Sequence, residues 1–222
     1  LFNKSIKYNL FKKIKKLIFV STDEVYGFSN LNDIETNMKT EKSILNPTNP
    51  YSATKAAAEM IANSYYYSYK LPIIITRGNN VYSRNQYFEK LIPKFINLLN
   101  NNQKCTIHGK GETVRSFIHV DDVVSAFDVI LSKGVIGEIY NIGCHDEYSV
   151  MDIAKILVKK MKNDNDVDKY IEYVPDRNFN DTRYYISNDK LRSLGWDIKV
   201  DFDTGINETI KWYLEHPNHW ST

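Results

Sequence analysis

Cysteine and long apolar runs are scarce in this chain of 222 residues. The two cysteines, Cys105 and Cys144, lie far apart without a CxxC partner, so the sequence suggests neither a disulfide framework nor a zinc site. No stretch approaches the roughly 20 apolar residues that span a bilayer, and residues 1–20 lack the order of a signal peptide. We therefore expect a cytoplasmic protein with no membrane partner.

An excess of charge of one sign is also missing. The chain has 29 Lys and Arg against 27 Asp and Glu, which leaves a net charge of +2. So balanced a composition lacks the electrostatic footprint of a nucleic-acid-binding protein, and we expect no nucleic-acid partner. The five histidines form no HxxxH or HxH pair, so no metal site is expected.

Glycine is sparse where a dinucleotide-binding protein needs it. Such folds open with a strand, a glycine-rich turn and a helix whose amino end receives the pyrophosphate. Here Gly109 and Gly111 are the only glycines spaced two residues apart, and no third glycine completes the fingerprint. The sequence therefore contains no recognisable phosphate-binding glycine loop.

What the chain does have is an alternation of strand-like and helix-like segments. Leu17–Val20 and Leu71–Thr76 are short apolar runs typical of buried parallel strands, and residues 4–16 and 51–69 have helical spacing. The remaining elements are expected as helices at 89–100, 121–132, 149–162 and 204–215, strands at 117–120 and 139–142, a short element at 189–194, and polar loops at 28–49 and 163–183. This order predicts an α/β fold with a doubly wound parallel sheet.

Tyr51 and Lys55 are spaced i and i+4 on one expected helix, which places both side chains on the same face. A lysine ammonium beside a phenol favours the phenolate, so it would lower the pKa of Tyr51 from about 10 toward neutrality. Tyr51 could then act as a general base. Taken alone, such a pair is weak evidence, because many Tyr-x-x-x-Lys pairs are surface coincidences.

Three sequence blocks around this pair carry more information. Ser21–Gly27 reads STDEVYG, Asn49–Ala56 reads NPYSATKA, and Arg77–Tyr82 reads RGNNVY. In these blocks and their order the chain resembles the extended short-chain dehydrogenase/reductases over nearly its whole length. The resemblance implies a Rossmann-like sheet with a smaller carboxyl-terminal substrate lobe, bound NAD, a nucleotide-sugar substrate and a homodimer paired through the Tyr/Lys helix.

Thr22-Asp23-Glu24 narrows the resemblance to the nucleotide-sugar 4,6-dehydratases. Blocks at 178–184 and 191–196 are most similar to UDP-glucose 4,6-dehydratases of rhamnose biosynthesis, and the dTDP-glucose enzymes are the near alternative. UDP-sugar epimerases and decarboxylases share the Tyr/Lys helix and remain a second enzyme interpretation. A non-catalytic nucleotide-sugar-binding fragment is the third hypothesis. The sequence does not decide between uracil and thymine.

The resemblance also implies residue roles. Tyr51 would take the proton of the sugar's 4-hydroxyl while hydride leaves carbon 4 for NAD, with Thr22 hydrogen-bonded to that oxygen. Glu24 would then take the proton of carbon 5, and Asp23 would protonate the departing 6-hydroxyl before hydride returns to carbon 6. Cofactor contacts are expected from Ser21, Tyr51 and Lys55. Substrate contacts are expected from Thr22, Asn80, Lys90, Arg115, Asn141 and Arg177.

By the same resemblance, residues 1–82 and 116–145 belong to the NAD-binding lobe, and residues 83–115 and 146–222 belong to the substrate lobe. The absent glycine loop would lie in amino-terminal βα units that precede residue 1. We therefore expect roughly 100 residues to be missing from this chain, at about 30 residues per βαβ unit. Ser83-Arg84 stands where the family usually has Gly-Pro, which weakens any inference about substrate preference.

Overall fold

The computed structural model of the chain describes residues 13–34, 37–176 and 181–217. The strands are β1 (Leu17–Thr22), β2 (Ile73–Gly78), β3 (Asn80–Tyr82), β4 (Cys105–His108), β5 (Val114–His119), β6 (Ile139–Ile142), β7 (Glu147–Ser149) and β8 (Ile171–Val174). The helices are α1 (Pro50–Tyr69), α2 (Leu91–Asn100), α3 (Val120–Lys133), α4 (Val150–Lys162), α5 (Asp189–Arg192) and α6 (Phe202–Glu215). Short 3₁₀ turns occupy Asp23–Tyr26 and Val167–Tyr170.

A parallel sheet with the strand order β1-β2-β6 forms the central layer of the fold. Successive residues of β2 are buried, because helices cover both faces of the sheet. Ile73 and Ile75 pack with Ala62 of α1, whereas Ile74 packs on the other face with Ala126 of α3. The expected α/β fold, with a parallel sheet between helices, is confirmed.

A second core cluster lies among α2, α4 and α6. Phe95 of α2, Leu157 of α4 and Ile206 of α6 are all buried in it, together with Ile107 of β4. β4 pairs in parallel with β8, and β5 pairs in antiparallel orientation with β7. The division into an NAD-binding lobe and a substrate lobe remains a prediction, which the separate core clusters support.

The start of α1 is set by a local cap. Asn49 Oδ1 accepts a hydrogen bond from the Ser52 N–H at 2.8 Å, and Ser52 Oγ accepts one from the Asn49 N–H at 3.2 Å. Pro50 follows at the first helical position, where the missing N–H leaves no hydrogen bond unmade. The helix therefore begins with Tyr51 in its first turn, close to the carboxyl end of β1.

A buried ion pair joins α1 to β2. Arg77 Nη2 lies 2.5 Å from Glu59 Oε2, and its Nε donates to the same carboxylate at 3.0 and 3.1 Å. The side chains of Arg77 and Glu59 are only 3% and 0% exposed. The guanidinium also stacks 4.6 Å from the ring centroid of Tyr26. Both charges are thus removed from water and depend on each other for compensation.

The 181–187 segment fastens the long loop at 28–49 to the body of the protein. Ser29 N–H donates to the Arg183 carbonyl at 2.8 Å, and Lys39 N–H donates to the Tyr185 carbonyl at 2.9 Å. The Arg183 guanidinium donates to both oxygens of Glu147 in β7, at 2.6 and 2.5 Å. This loop is therefore held by specific contacts beside the sheet edge that carries the expected site.

Four of the strands, β3, β4, β7 and β8, are not predicted by the sequence patterns. β8 lies inside the expected polar loop at 163–183 and buries only Ile171, whereas Glu172 and Tyr173 are exposed. A four-residue strand with one buried side chain has no recognisable apolar period. Of the helix expected at 4–16, the structure describes only residues 13–16, where no helix is present.

Cys105 and Cys144 are both buried as free thiols, and burial raises the pKa of each to about 12. Within the described ranges, no group of three or more His, Cys, Asp or Glu side chains is arranged to hold a metal ion. None of the described helices has both the length and the apolar character needed to cross a bilayer.

Candidate active site

A cleft of about 350 Å³ lies at the carboxyl ends of β1 and β2. Open α/β sheets place their ligands at this edge, because the loops that follow parallel strands meet there. Of the site residues expected from the sequence, the cleft wall brings together Ser21, Thr22, Glu24, Tyr51, Asn80 and Lys90. Side chains from distant parts of the chain thus converge on one surface.

Three other expected site residues, Asp23, Lys55 and Arg115, lie near this cleft but not on its wall. Asp23 is buried between its cleft-lining neighbours, with 2% of its surface exposed. Lys55 Nζ donates to the carbonyl of Val20 in β1 at 2.7 Å. Arg115 lines an adjacent cavity of about 230 Å³, and Asn80 is on the wall of both cavities. Arg177 lies outside the described residues.

Asn141 does not reach the cleft. It is fully buried in β6, where its Nδ2 donates to the carbonyls of Lys39 and Ser187 at 3.2 and 3.0 Å. Its Oδ1 accepts a hydrogen bond from the Tyr26 hydroxyl at 2.8 Å. Both amide protons are therefore occupied inside the protein. The expectation that Asn141 lines the sugar and nucleotide path is corrected to a packing role that links β6 to two loops.

Burial changes the acid chemistry of Asp23. Burial is the main cause that raises the pKa of this carboxyl to about 7, and the neighbouring charge of Glu24 adds to the rise. Asn79 Nδ2 donates to Asp23 Oδ2 at 2.6 Å, and the Thr22 hydroxyl donates to Oδ1 at 3.2 Å, which opposes part of the shift. Near neutral pH, Asp23 therefore populates both the protonated and the ionised form.

Tyr51 differs from the expectation drawn from its spacing to Lys55. Its pKa is raised, first by partial burial and then by the negative charges of Glu24 and Asp23, although a hydrogen bond with Thr22 acts in the opposite direction. The Lys55 ammonium is hydrogen-bonded to β1 instead. The expected lowering of the pKa of Tyr51 is thus wrong for this structure, because partial burial and, after it, two nearby carboxyl groups raise the pKa.

Glu24, the second member of the carboxyl pair, is held by contacts with Asn49 and Tyr184. Asn49 Nδ2 donates to Glu24 Oε2 at 3.0 Å, and the hydroxyl of Tyr184 lies 3.4 Å from the same oxygen. The backbone N–H of Glu24 donates to Thr22 Oγ1 at 3.3 Å, which caps the 3₁₀ turn. Adjacent carboxyl groups in one turn therefore have different surroundings, since Asp23 is fully enclosed and Glu24 reaches the cleft.

Two buried hydroxyl groups on the cleft wall have no partner among the described residues. Ser21 Oγ and Thr76 Oγ1 come from neighbouring strands, and both atoms are shielded from solvent without a hydrogen bond. An unmade hydrogen bond of this kind costs free energy unless a ligand supplies the partner. The pair therefore marks this part of the wall as a place for a polar ligand.

Several residues that shape the site are given no role by the sequence patterns. Asn79, Asn49 and Tyr184 bind the two carboxyl groups, and Thr76 contributes an unpaired hydroxyl. Asn49 could have been singled out as the helix cap before Pro50, but its second contact is with a residue in another part of the fold. Tyr184 lies in the 178–184 block, but nothing local indicates its contact with Glu24, which spans 160 positions.

Ser83, His119 and Asp121 form a second set of side chains that resembles a nucleophilic triad. Ser83 Oγ lies 2.9 Å from His119 Nε2. However, the backbone N–H of Asp121 donates to His119 Nδ1 at 3.3 Å, so Nδ1 is an acceptor and Nε2 carries the proton. The imidazole therefore cannot take the serine proton. These contacts cap α3 and do not activate a nucleophile.

Comparison with known proteins identifies one matching protein family. The family model for GDP-mannose 4,6 dehydratase matches residues 2–209. A dTDP-D-glucose 4,6-dehydratase of Dictyostelium discoideum is 47% identical over 94% of this chain. A trifunctional UDP-glucose 4,6-dehydratase/3,5-epimerase/reductase of Arabidopsis thaliana is also 47% identical, again over 94% of the chain. The chain spans 56% of the first relative and 30% of the second.

The fold also matches solved structures. A dTDP-glucose 4,6-dehydratase from Bacillus anthracis, crystallised in complex with NAD, aligns with a TM-score of 0.86 at 40% sequence identity. The alignment covers 96% of this chain and 66% of that one. Sequence and fold comparisons therefore point to the same group of proteins.

Proposed function

The chain belongs to the GDP-mannose 4,6-dehydratase family, and from this premise we propose that the whole protein dehydrates a nucleoside-diphosphate glucose to the 4-keto-6-deoxy sugar. UDP-glucose is the favoured substrate and dTDP-glucose is the alternative. The observation that carries the proposal is the carboxyl pair. Asp23 is buried with a pKa raised to about 7, and it adjoins Glu24 on the cleft that also holds Tyr51.

The unpaired hydroxyl groups of Ser21 and Thr76 fit NAD as the ligand of this cleft, because its carboxamide and ribose groups can supply hydrogen-bond partners. Ser21, Thr76 and Lys55 would hold the cofactor, on the strand ends and the helix that border the cleft. When bound, oxidised NAD supplies a hydride acceptor and a positive ring charge that favours the Tyr51 phenolate. This charge would offset the carboxyl groups that raise the pKa of Tyr51.

In the oxidation step, Tyr51 accepts the proton of the sugar's 4-hydroxyl while carbon 4 gives up a hydride. Thr22, which lines the same cleft as Tyr51, orients this hydroxyl. A carbonyl then replaces the hydroxyl at carbon 4. The new carbonyl makes the hydrogen on carbon 5 acidic enough for a carboxylate to remove.

In the elimination step, Glu24 takes the proton from carbon 5 and Asp23 gives its proton to the departing 6-hydroxyl. The bond between carbon 6 and oxygen breaks, and one water molecule leaves. The hydride that left carbon 4 then returns to carbon 6, and Glu24 gives its proton back to carbon 5. Glu24 is thus protonated only between the two steps. Asp23 ends the cycle ionised and regains a proton equivalent to the one that Tyr51 took from the 4-hydroxyl, so the surroundings of each group must tolerate both forms.

The pH dependence of this step follows from Asp23. Because the pKa of Asp23 is raised to about 7, the proton donor is lost as the pH rises through that value. We expect the dehydration rate of the whole protein to fall above about pH 7, as measured by product formation at saturating nucleotide sugar between pH 5.5 and 9. A rate that keeps rising up to pH 9 would contradict the assignment of Asp23 as the acid.

The same shift has a consequence for stability. The folded protein binds a proton at Asp23 that the unfolded chain releases above its ordinary pKa of 3.8. This group therefore contributes stability at low pH, and the contribution is lost as the pH rises from about 4 through about 7.

The adjacent cavity provides a place for the nucleotide diphosphate. Arg115, Lys94 and His108 lie on its wall. Arginine and lysine are suitable partners for phosphate oxygens. Asn80 lines both cavities, so a substrate could extend from the carboxyl pair to this basic wall. Lys90, on the wall of the catalytic cleft, and Arg177, outside the described residues, remain predicted substrate contacts.

Product analysis tests the proposal directly. The whole protein is incubated with NAD and either UDP-glucose or dTDP-glucose, and the products are identified by mass spectrometry. A product that has lost one water molecule is expected, with faster turnover of UDP-glucose. An isomer with an intact 6-hydroxyl would instead indicate an epimerase. In a parallel incubation with a UDP-sugar acid, loss of a carboxyl group would indicate a decarboxylase.

The proposed assembly is a homodimer paired through α1. Met60, Ile61 and Tyr67 of this helix are exposed to 64, 55 and 70%. Exposed apolar side chains grouped on one element favour a protein interface. Light scattering of the whole protein should give twice the mass of one chain, and a monomer at micromolar concentration would reject the dimer. A cytoplasmic location remains a prediction.

A further inference from the structure

We propose that Asp181 is a positioning residue for Glu24, the carboxylate to which the proposed function gives the proton of carbon 5. Asp181 is buried, with 4% of its surface exposed, and belongs to the 181–187 segment. It is remote from Glu24 in sequence, yet Asn49 and Tyr184 connect the two carboxyl groups. The inference rests on the proposed function and adds a residue that controls its base.

The amide of Asn49 bridges the two carboxyl groups. Its Nδ2 lies 3.0 Å from Glu24 Oε2 and 3.0 Å from Asp181 Oδ2. An amide nitrogen carries two protons, so Asn49 can donate to both oxygens at once. The Asn49 Oδ1 is already occupied by the Ser52 N–H at the start of α1, which fixes the direction of the amide. Asp181 therefore helps to hold the donor that holds Glu24.

The hydroxyl of Tyr184 connects the same two oxygens, but it has only one proton to give. It donates in a short hydrogen bond to Asp181 Oδ2, and its oxygen lies 3.4 Å from Glu24 Oε2. Burial, followed by the bond to Asp181, raises the pKa of Tyr184, which keeps the phenol protonated. Because Asp181 accepts the hydrogen bond from this hydroxyl, the Tyr184 oxygen turns lone pairs toward Glu24. It can then accept a hydrogen bond from Glu24 when Glu24 holds the proton of carbon 5.

A third donor completes the surroundings of Asp181. The Thr48 hydroxyl donates to Asp181 Oδ1 at 2.6 Å. The contacts from Thr48, Asn49 and Tyr184 suit a carboxylate, which only accepts hydrogen bonds. They attach the 181–187 segment to the loop before α1, so one buried group aligns the helix that carries Tyr51 with the turn that carries Glu24.

The charged and titratable groups around Glu24 come from its own turn, from α1 and from the 181–187 segment. Asp23 adjoins it in the same turn, Tyr51 faces it from α1, and Tyr184 faces it from the 181–187 segment. Arg115 of β5 lies 4.6 Å from the ring centroid of Tyr184. Substitution of Asp181 by asparagine alters the charge of none of these groups. It removes the negative charge and one of the two acceptor oxygens that together draw the Tyr184 proton away from Glu24.

The test compares Asp181→Asn with the wild-type whole protein, using UDP-glucose, dTDP-glucose and NAD. In the variant, Tyr184 can donate to Glu24 and stabilise its ionised form, so Glu24 becomes a weaker base. A positioned base increases the rate by about 10² to 10⁴-fold. Because Glu24 is weakened and not removed, we expect kcat to fall by only about 10- to 100-fold. KM should change by less than about threefold, because substrate contacts are untouched. The acidic limb of the pH–rate profile should move to lower pH.

Two partial reactions locate the defect. Oxidation at carbon 4 is followed by absorbance of reduced NAD at 340 nm, and proton removal from carbon 5 is followed by deuterium incorporation from D₂O. Asp181→Asn should slow deuterium incorporation and let reduced NAD accumulate. An unchanged pH profile, or equal losses in oxidation and proton removal, would overturn the inference, because a structural defect alone predicts that pattern.

Two further variants test whether the effect of Asp181→Asn is specific to its contact with Tyr184. Asp122→Asn removes another buried carboxyl, one that accepts hydrogen bonds from the Lys199 and Val200 N–H groups, and should leave the pH profile unchanged. Tyr184→Phe removes the bridging hydroxyl and should also slow proton removal. If Asp181→Asn does not fold, a normal rate of proton removal in Tyr184→Phe overturns the inference. If wild-type protein yields no keto sugar, the proposed function itself is rejected.

Discussion

Replacement of Asp23 by asparagine is expected to slow formation of the keto sugar by about 10² to 10⁴-fold, the usual contribution of a positioned acid. Asparagine has nearly the same shape, and its carbonyl can still accept the hydrogen bond from Asn79. Its amide cannot protonate the departing 6-hydroxyl. The first oxidation should be affected much less, so reduced NAD should accumulate at 340 nm while mass spectrometry finds little dehydrated product.

The stability of this variant distinguishes loss of chemistry from loss of structure. Ionisation of wild-type Asp23 above about pH 7 places a charge in a fully buried position. The neutral amide avoids that charge, so Asp23→Asn should be at least as stable as wild type at pH 8. Asp168→Asn, at an exposed position in the Val167–Tyr170 turn, serves as a control with unchanged activity. Near-normal dehydration by Asp23→Asn would refute the acid role.

Replacement of Arg77 by methionine is expected to lower the free energy of unfolding by about 3–5 kcal/mol, the range for a buried ion pair that loses one partner. The change leaves Glu59 in α1 without a compensating cation and removes the stacking contact on Tyr26. Urea unfolding of the whole protein, followed by far-ultraviolet circular dichroism, measures the loss.

The double variant Glu59→Leu/Arg77→Met separates the charge from the packing. It leaves no isolated buried charge, so it should recover most of the stability lost by Arg77→Met. Replacement of a whole buried pair by apolar side chains is often neutral. A single-variant loss below about 1 kcal/mol, or a double variant that is less stable than Arg77→Met, would contradict this account.

The parts of the fold that the sequence predicts are those with a local period. β2 and α1 are examples, since a run of buried isoleucines and a proline-started helix are visible in consecutive residues. β8 could not be predicted from the sequence, because it buries one residue and depends on pairing with β4, more than 60 positions earlier. Short strands of this kind are determined by their partner and not by their own composition.

The candidate site also combines features that follow from local sequence with features that depend on distant parts of the chain. Thr22, Glu24 and Tyr51 meet because they follow the carboxyl end of a strand or begin the next helix, both of which are local features. The direction of the pKa shift of Tyr51 could not be predicted, because it depends first on how far the fold buries the side chain and then on how near the carboxyl groups come in space. Asn141 was misassigned for the related reason that its surroundings depend on contacts with Lys39, Glu41 and Ser187, which are distant in the sequence.

The contact between Glu24 and Tyr184 also sets the order in which the site is completed during synthesis. The two residues are 160 positions apart in the chain. At roughly 5–20 residues per second, Tyr184 leaves the ribosome's catalytic centre about 8–32 s after Glu24. For most of that interval the nascent chain has its carboxyl pair and, once residue 51 is added, Tyr51, but it lacks Asp181 and Tyr184. The base of the proposed reaction is thus set in place only after residues 181–184 have been made.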